Sequence, residues 1–113
     1  LSVARKDQSL FFHCAKAGQK LENLRQNPEV SLFFASYVNP TRFTCEYDSA
    51  VVTGVAREVT DETEKVSAMR LICQHFTPDY MENFDRSMNA SGDKFMIWRI
   101  DMNTITGKQN KLK

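Results

Sequence analysis

A chain of 113 residues holds enough material for one domain with a modest core. Its 15 Lys and Arg against 14 Asp and Glu leave a net charge of +1, so no overall field selects nucleic acid or an anionic membrane, and no apolar run has the length of a membrane span or the form of a signal peptide. The 3 cysteines, Cys14, Cys45 and Cys73, are widely spaced with no CxxC pair. Neither a zinc site nor a disulfide framework is indicated, and reduced thiols in a cytoplasmic protein are the expectation.

Leu1–Ala4 and Ser9–His13 read as strands flanking Arg5-Lys6-Asp7-Gln8, a polar loop of hairpin length. The aromatic and apolar Leu10-Phe11-Phe12 suits a buried, pleated surface. His13 to Gly18 then reads as a short loop, followed by straight-chain helix formers from Gln19 to Arg25 with Leu21 and Leu24 on one face. Asn27-Pro28 stops that helix, because the residue before proline is pushed out of the helical region. A helix start presents unpaired N–H groups and the positive end of a dipole, which attract an anion. Gly18 allows close backbone approach and Lys20 adds a full charge on a flexible stem. The arrangement predicts a phosphate held at the turn beside His13 and Cys14, its molecule running back along the strand. By spacing alone, a plain strand–turn–helix with a solvated lysine is the commoner arrangement.

Val30–Val38 is apolar on both faces, with Leu32 and Phe34 on one and Phe33, Ala35 and Tyr37 on the other. Such a strand needs cover on two sides, from a second subunit or from a local helix. Asn39-Pro40-Thr41-Arg42 reads as a loop or turn, and Phe43–Val59 as one long strand. Along that strand Tyr47, Ser49, Val51, Thr53, Val55 and Val59 fall on one side. The small residues Ala50, Gly54 and Ala56 fall on the other, marking a bend or leaving room for a flat ring. Asp61 to Glu64 forms a capping box opening a helix whose apolar face is Val66, Met69, Ile72, Cys73 and Phe76. Thr77-Pro78-Asp79 starts a short second helix, Ser87–Asp93 reads as a polar loop, and Phe95–Met102 as a strand with Met96, Trp98, Ile100 and Met102 on one face. The basic tail from Gly107 is expected to fray. The order of elements is an α+β pattern whose strands close on themselves. Two histidines, His13 and His75, without a carboxylate at ligand spacing indicate no metal site, and no nucleophile–base set is visible.

Three blocks carry a resemblance. The run Phe12-His13-Cys14-Ala15 through Gly18-Gln19-Lys20-Leu21 to Asn27-Pro28-Glu29-Val30-Ser31 is one, Tyr47–Ala56 is the second, and Trp98–Asp101 with Ile105–Lys108 is the third. Together they are similar to the motifs of the FMN-binding split-barrel family related to pyridoxamine 5'-phosphate oxidase, and in particular to its nitroimidazole-resistance (Nim-type) branch. The resemblance implies a single domain over residues 1–113, a mainly antiparallel six-stranded split β-barrel with Greek-key connections and flanking helices. It also implies that strands of the family precede Leu1 in a longer polypeptide. FMN is the implied cofactor, bound in a homodimer with the flavin at the subunit interface. His13, Cys14, Ala15, Gln19, Lys20, Ser49 and Trp98 are the implied contacts, with Lys20 on the phosphate and His13 as a proton or hydrogen-bond donor in catalysis. Gln19 stands where some relatives carry arginine, so phosphate affinity would rest more on Lys20 and backbone amides. Ser49 is equally an ordinary strand serine, and Trp98 equally a core residue. The arginine- and histidine-bearing closing signature of the oxidase itself is not matched by Ile105-Thr106-Gly107-Lys108-Gln109, which disfavours vitamin B6 oxidation. The implied activity is reduction of a small nitroaromatic or quinone acceptor with electrons from a nicotinamide donor. A flavin-binding protein without turnover and a haem-binding split barrel are the alternatives.

Overall fold

A computed structural model describes residues 1–36, 39–41 and 44–110. Tyr37, Val38, Arg42 and Phe43, to which the sequence assigned places in strands or turns, lie outside the described residues, as do the side chains of 39–41 and 44–47. The elements in chain order are β1 (Ala4–Lys6), β2 (Ser9–Ala15), α1 (Gln19–Gln26), β3 (Glu29–Ala35), β4 (Asn39–Thr41), β5 (Thr44–Glu58), α2 (Glu62–Phe76), a 3₁₀ turn (Pro78–Asn83), α3 (Phe84–Ser91) and β6 (Phe95–Asn110). All strand pairs are antiparallel, and the main sheet runs β1-β2-β6-β5-β3, with β4 folded back on the first residues of β5. Among the described residues this sheet is open, with β1 and β3 as its edges.

Alternation along the strands sorts side chains onto two faces. On one face Leu10 and Phe12 of β2, Met96, Trp98 and Ile100 of β6, and Val52 and Ala56 of β5 pack with Leu21 of α1. On the other, Phe11 of β2 and Ile97 of β6 pack with Ala68 and Ile72 of α2, Ala4 and Val59. The sheet is therefore a shared wall between two small cores, and Ile97 and Ile100, three residues apart on β6 and on opposite faces, are its most buried side chains.

The long β5–β6 ladder contains one irregularity. Thr53 pairs with Thr104 but Gly54 pairs with Met102, so Asn103 is an extra residue on β6, a β-bulge. Gly54 is what permits it: a Cβ there would lie 2.5 Å from the Asp101 carbonyl oxygen and 2.9 Å from Ile100 Cγ2. The room that the small residues of β5 offer at this point is taken by the backbone of β6 and not left for a ring.

Several predicted elements hold with small shifts. The hairpin turn is narrower than the four-residue loop expected, because Lys6 already pairs with Ser9 and only Asp7 and Gln8 turn the chain, Asp7 at φ 56°. α1 starts after Gly18 and ends at Asn27 as expected, and Asp61 caps α2 by accepting the Glu64 N–H at 2.8 Å. Others do not hold. Asn39–Thr41, read as a loop or turn, is a short strand paired with Thr44–Glu46. Ser87–Asp93, read as a polar loop, is helical through Ser91. That helix is held from outside: Phe84 is buried beneath the Arg70 guanidinium, 4.4 Å from its ring, and Lys65 Nζ donates to the Gly92 carbonyl at 2.6 Å. The tail from Gly107 does not fray through Gln109, because Ala50, Ser49 and Asp48 of β5 supply it with a ladder.

Gly54→Val is expected to lower the urea-unfolding midpoint by an amount corresponding to about 1–3 kcal/mol, the cost of forcing bulk into a filled site. An unchanged midpoint would mean that the β6 backbone can step aside at the bulge.

Candidate functional site: the start of α1 against β2 and β6

β2 runs two residues past the Ser9–His13 strand the sequence suggested, so Cys14 and Ala15 are strand and not loop. This matters for the site, because strand alternation then decides where each side chain goes. Phe12 lies opposite Trp98 and Cys14 opposite Met96, on the α1 face. His13 lies opposite Ile97, on the α2 face, exposed, with its ring edge-on to Phe95 at 6.4 Å.

The chain then turns through Ala15–Gly18. Gly18 has φ 137° and ψ 171°, backbone that a side chain would strain, and it precedes α1 with no side chain capping the helix start. The first backbone bond of α1 is Glu22 N–H to Gly18 O at 3.3 Å, which leaves the N–H groups of Gln19, Lys20 and Leu21 as the orphan donors of the first turn. A Cβ placed on Gly18 would meet nothing within 4 Å, so the space above this turn is open. Lys20 bends back over β2, its Nζ 5.9 Å from the centroid of the Phe12 ring. Gln19 Nε2 donates to Asn23 Oδ1 at 2.8 Å, which occupies its amide within the helix.

Four groups thus converge on one face: the Lys20 ammonium, the Cys14 thiol, the Trp98 indole and, at the end of β5 opposite Trp98, Glu58. Burial pushes the Cys14 thiol above its ordinary value; the Lys20 charge and the nearby Trp98 N–H pull against that rise, and Glu58 adds to it. Trp98 is core, 4% exposed, and its Nε1–H has no partner in hydrogen-bonding geometry. The indole sits close enough to the sulfur to favour the thiolate without making a well-formed bond to it. A phosphate monoester fits this chemistry: an uncapped helix start, an open approach and one flexible cation.

Of the sequence-predicted set, the chain brings together Cys14, Lys20 and Trp98. Ala15 and Gln19 border the turn, both exposed. His13 stands on the opposite face. Ser49 pairs with Lys108, nine residues along β5 from Glu58, which is about 30 Å of extended chain, so it lies far from the cluster. Sequence reasoning missed Glu58, which no motif marks, and Phe12 as the surface under Lys20. Among the described residues no group of His, Cys, Asp and Glu could hold a metal, and no helix is long and apolar enough to cross a membrane.

A second polar cluster lies on the α2 face. Arg99 donates to Asp101 at 2.7 Å and to Glu64 at 3.3 Å, Arg57 pairs with the same two carboxylates at 3.5 and 3.6 Å, and the Ser9 hydroxyl donates to Asp101 at 3.2 Å. It ties the first turn of α2 to the sheet beside a groove of about 820 Å³ between α2 and the β1–β2 turn. Burial opposes ionisation of Asp101, but the hydrogen bond and charge of Arg99, with Ser9 and Arg57, outweigh it and hold the carboxyl below the usual carboxylate value.

The fold and this turn define an antiparallel sheet protein with an open, uncapped helix start at a strand–helix junction. The chain belongs to the pyridoxamine 5'-phosphate oxidase family, whose model matches residues 1–109. By sequence, none of the curated proteins matches it. Among solved structures, it is similar to a candidate 5-nitroimidazole antibiotic resistance protein from Bacteroides thetaiotaomicron, at 20% identity over 94% of this chain and 64% of that one, TM-score 0.74. It is similar also to the flavocytochrome Anf3 from Azotobacter vinelandii, at 16% identity over 96% of this chain and 53% of that one, TM-score 0.78. A third is an FAD- and haem-binding protein from Mycobacterium smegmatis, at 14% identity over 96% and 57%, TM-score 0.76. At these identities the likeness is one of fold, and this chain spans less than two thirds of each neighbour's length.

Because the folded-state pKa of Asp101 is depressed, its contribution to stability is complete above the unfolded value and is lost as pH falls through the folded one. Asp101→Asn is therefore expected to lower the melting temperature at neutral pH and to reduce the further loss between about pH 4 and pH 2. Parallel acid limbs for the two proteins would show that Asp101 carries none of that dependence.

Proposed function

We propose that this chain binds FMN, with the phosphate at the start of α1 on Lys20 and the orphan backbone N–H groups of the first turn. On this reading it serves a reductase that passes two electrons from a nicotinamide donor to a small nitroaromatic or quinone acceptor. The observation that carries the reading is Lys20 folded back over Phe12 at an uncapped, glycine-led helix start. When bound, FMN supplies the reversible two-electron chemistry; the chain's own residues hold its charged end and fix its orientation. Membership of the family, and neighbours named for nitroimidazole resistance and for flavin binding, support the choice of cofactor and activity.

The same reading calls for two subunits. Ser49 is too far along β5 to share one site with Lys20 and Trp98 in a single chain. The β3–β5 surface that would receive a partner exposes Phe33 at 69%, with Val51 and Val55 beside it on the same face. Apolar surface of this kind on a paired sheet favours burial against another chain. The open edges β1 and β3 are where further strands would join to complete a six-stranded split barrel in one domain. Phe33→Glu is expected to convert a dimer to a monomer in sedimentation and to release flavin with it; a flavin-loaded monomer would remove the case for a shared site.

The direct test is an FMN titration of purified protein, followed by absorbance and flavin fluorescence. Lys20→Met is expected to weaken FMN binding about 10- to 100-fold, the scale of one charge-assisted contact, while leaving riboflavin binding unchanged. Equal loss for both ligands would place Lys20 away from the phosphate. His13, read from the sequence as the catalytic donor, faces away from Lys20 and Trp98, so His13→Ala is expected to leave turnover with a nicotinamide donor unchanged; a loss of turnover would return His13 to the chemistry. A protein that ignores FMN but binds haemin with a Soret band would replace this reading with the haem alternative.

A further inference from the structure

The groove between α2 and the β1–β2 turn takes no part in the proposed flavin site, because it lies on the α2 face and Lys20 lies on the other. At about 820 Å³ it has the size of a small-molecule site, for which about 300–1,000 Å³ is usual. Part of its lining is apolar: the buried Phe11 and Ala68, with the half-buried Leu71 beside them. Three cations and three carboxylates also line it, so their charges cancel. Four of these six are already engaged. Asp61 accepts the Glu64 N–H as the cap of α2, and Glu64 pairs with Arg57 and Arg99. Arg99 also holds Asp101, and Arg70 pairs with Asp85 over the Phe84 ring. The Lys6 ammonium and the Asp7 carboxylate are left, and neither side chain makes a hydrogen bond or ion pair with another described residue. A two-residue hairpin turn holds this pair, with Lys6 still in the ladder opposite Ser9 and Asp7 at φ 56°. Groups fixed in advance cost a ligand less ordering.

We propose that the groove binds a small zwitterion with an apolar body, the chemistry of a free aromatic amino acid. The ligand's carboxylate is met by Lys6, its ammonium by Asp7, and its ring by Phe11 and Leu71. A simple anion would be attracted by Lys6 and repelled by Asp7, and a simple cation the reverse; a zwitterion satisfies both groups. Lys6 and Asp7 are exposed, so each ion pair contributes modestly. Transfer of the apolar body from water onto Phe11, Ala68 and Leu71 supplies the larger share of the affinity.

The test titrates the whole chain with L-tryptophan, followed by ligand-detected NMR. Two analogues each lack one charge: indole-3-propionate has no ammonium, and tryptamine has no carboxylate. Tryptophan is expected to bind about two- to tenfold more tightly than either. Asp7→Asn keeps the turn, because asparagine tolerates left-handed backbone, and is expected to weaken tryptophan while sparing indole-3-propionate. Lys6→Met is expected to weaken tryptophan while sparing tryptamine. FMN affinity should be unchanged in both variants, and Lys20→Met should bind tryptophan like the wild type. No binding of tryptophan overturns the inference. Equal affinity for the three ligands, or for tryptophan across the wild type and both turn variants, overturns it as well. A protein that shows the expected pattern but ignores FMN supports the inference and overturns the flavin reading alone.

Discussion

The alternation of β2 against β6 is the constraint on which the rest of this molecule depends. Each residue of β2 is committed to the α1 core or the α2 core by parity alone, and the register Phe12–Trp98 fixes which. A slip of one residue would carry Phe12 and Cys14 to the α2 side and bring His13 under Lys20. Several contacts guard against that slip. Ile97 and Ile100 are almost fully enclosed on opposite faces, and the bulge at Asn103 locks β6 to Gly54. The charged groups around Asp101 tie the same stretch of β6 to α2. The chemistry of the α1 turn is thus set by packing some distance away from it.

The two helices use this wall differently. α2 is fastened by burial of Ala68 and Ile72 and by carboxylate–guanidinium pairs that are partly exposed, each of which contributes little alone but which together share two arginines and two carboxylates. α1 is short and inserts chiefly Leu21, with Leu24 half-buried. Its first turn has no capping side chain, which leaves backbone donors unsatisfied in the isolated chain. Water meets those exposed donors in the free chain, and on the proposed reading a bound anion would take its place.

Much of this was legible in the sequence for local reasons. Asn27-Pro28 and the Asp61 capping box mark helix ends wherever they occur, and the β5 alternation survives because its inward residues are small or branched throughout. What was not legible depended on partners distant in sequence. α3 has a polar composition and becomes a helix because Arg70 and Lys65 of α2 hold it, while Lys108 and Gln109 are strand because β5 is long enough to pair with them. At the site, Gly18 and Lys20 could be read directly, since a positive-φ glycine and a flexible cation need no context. The face taken by His13 could have been counted from Phe12, had the strand been carried through Cys14. The distance of Ser49 could not, because it is a property of the β5–β6 register.

The last consequence concerns completeness. A sheet with two open edges, an uncapped helix start, an indole N–H without an acceptor and a phenylalanine 69% exposed on a paired strand are separate observations. Each is a place where this chain leaves a hydrogen-bonding group or an apolar surface for something else to cover. Two of them, the helix start and the indole, lie on the face that carries Cys14, and the exposed phenylalanine lies at the far end of β5 where Ser49 also sits. On the proposed reading, a second copy would cover the apolar face and bring Ser49 toward the helix start in the same step, so one experiment on FMN binding and assembly addresses both proposals.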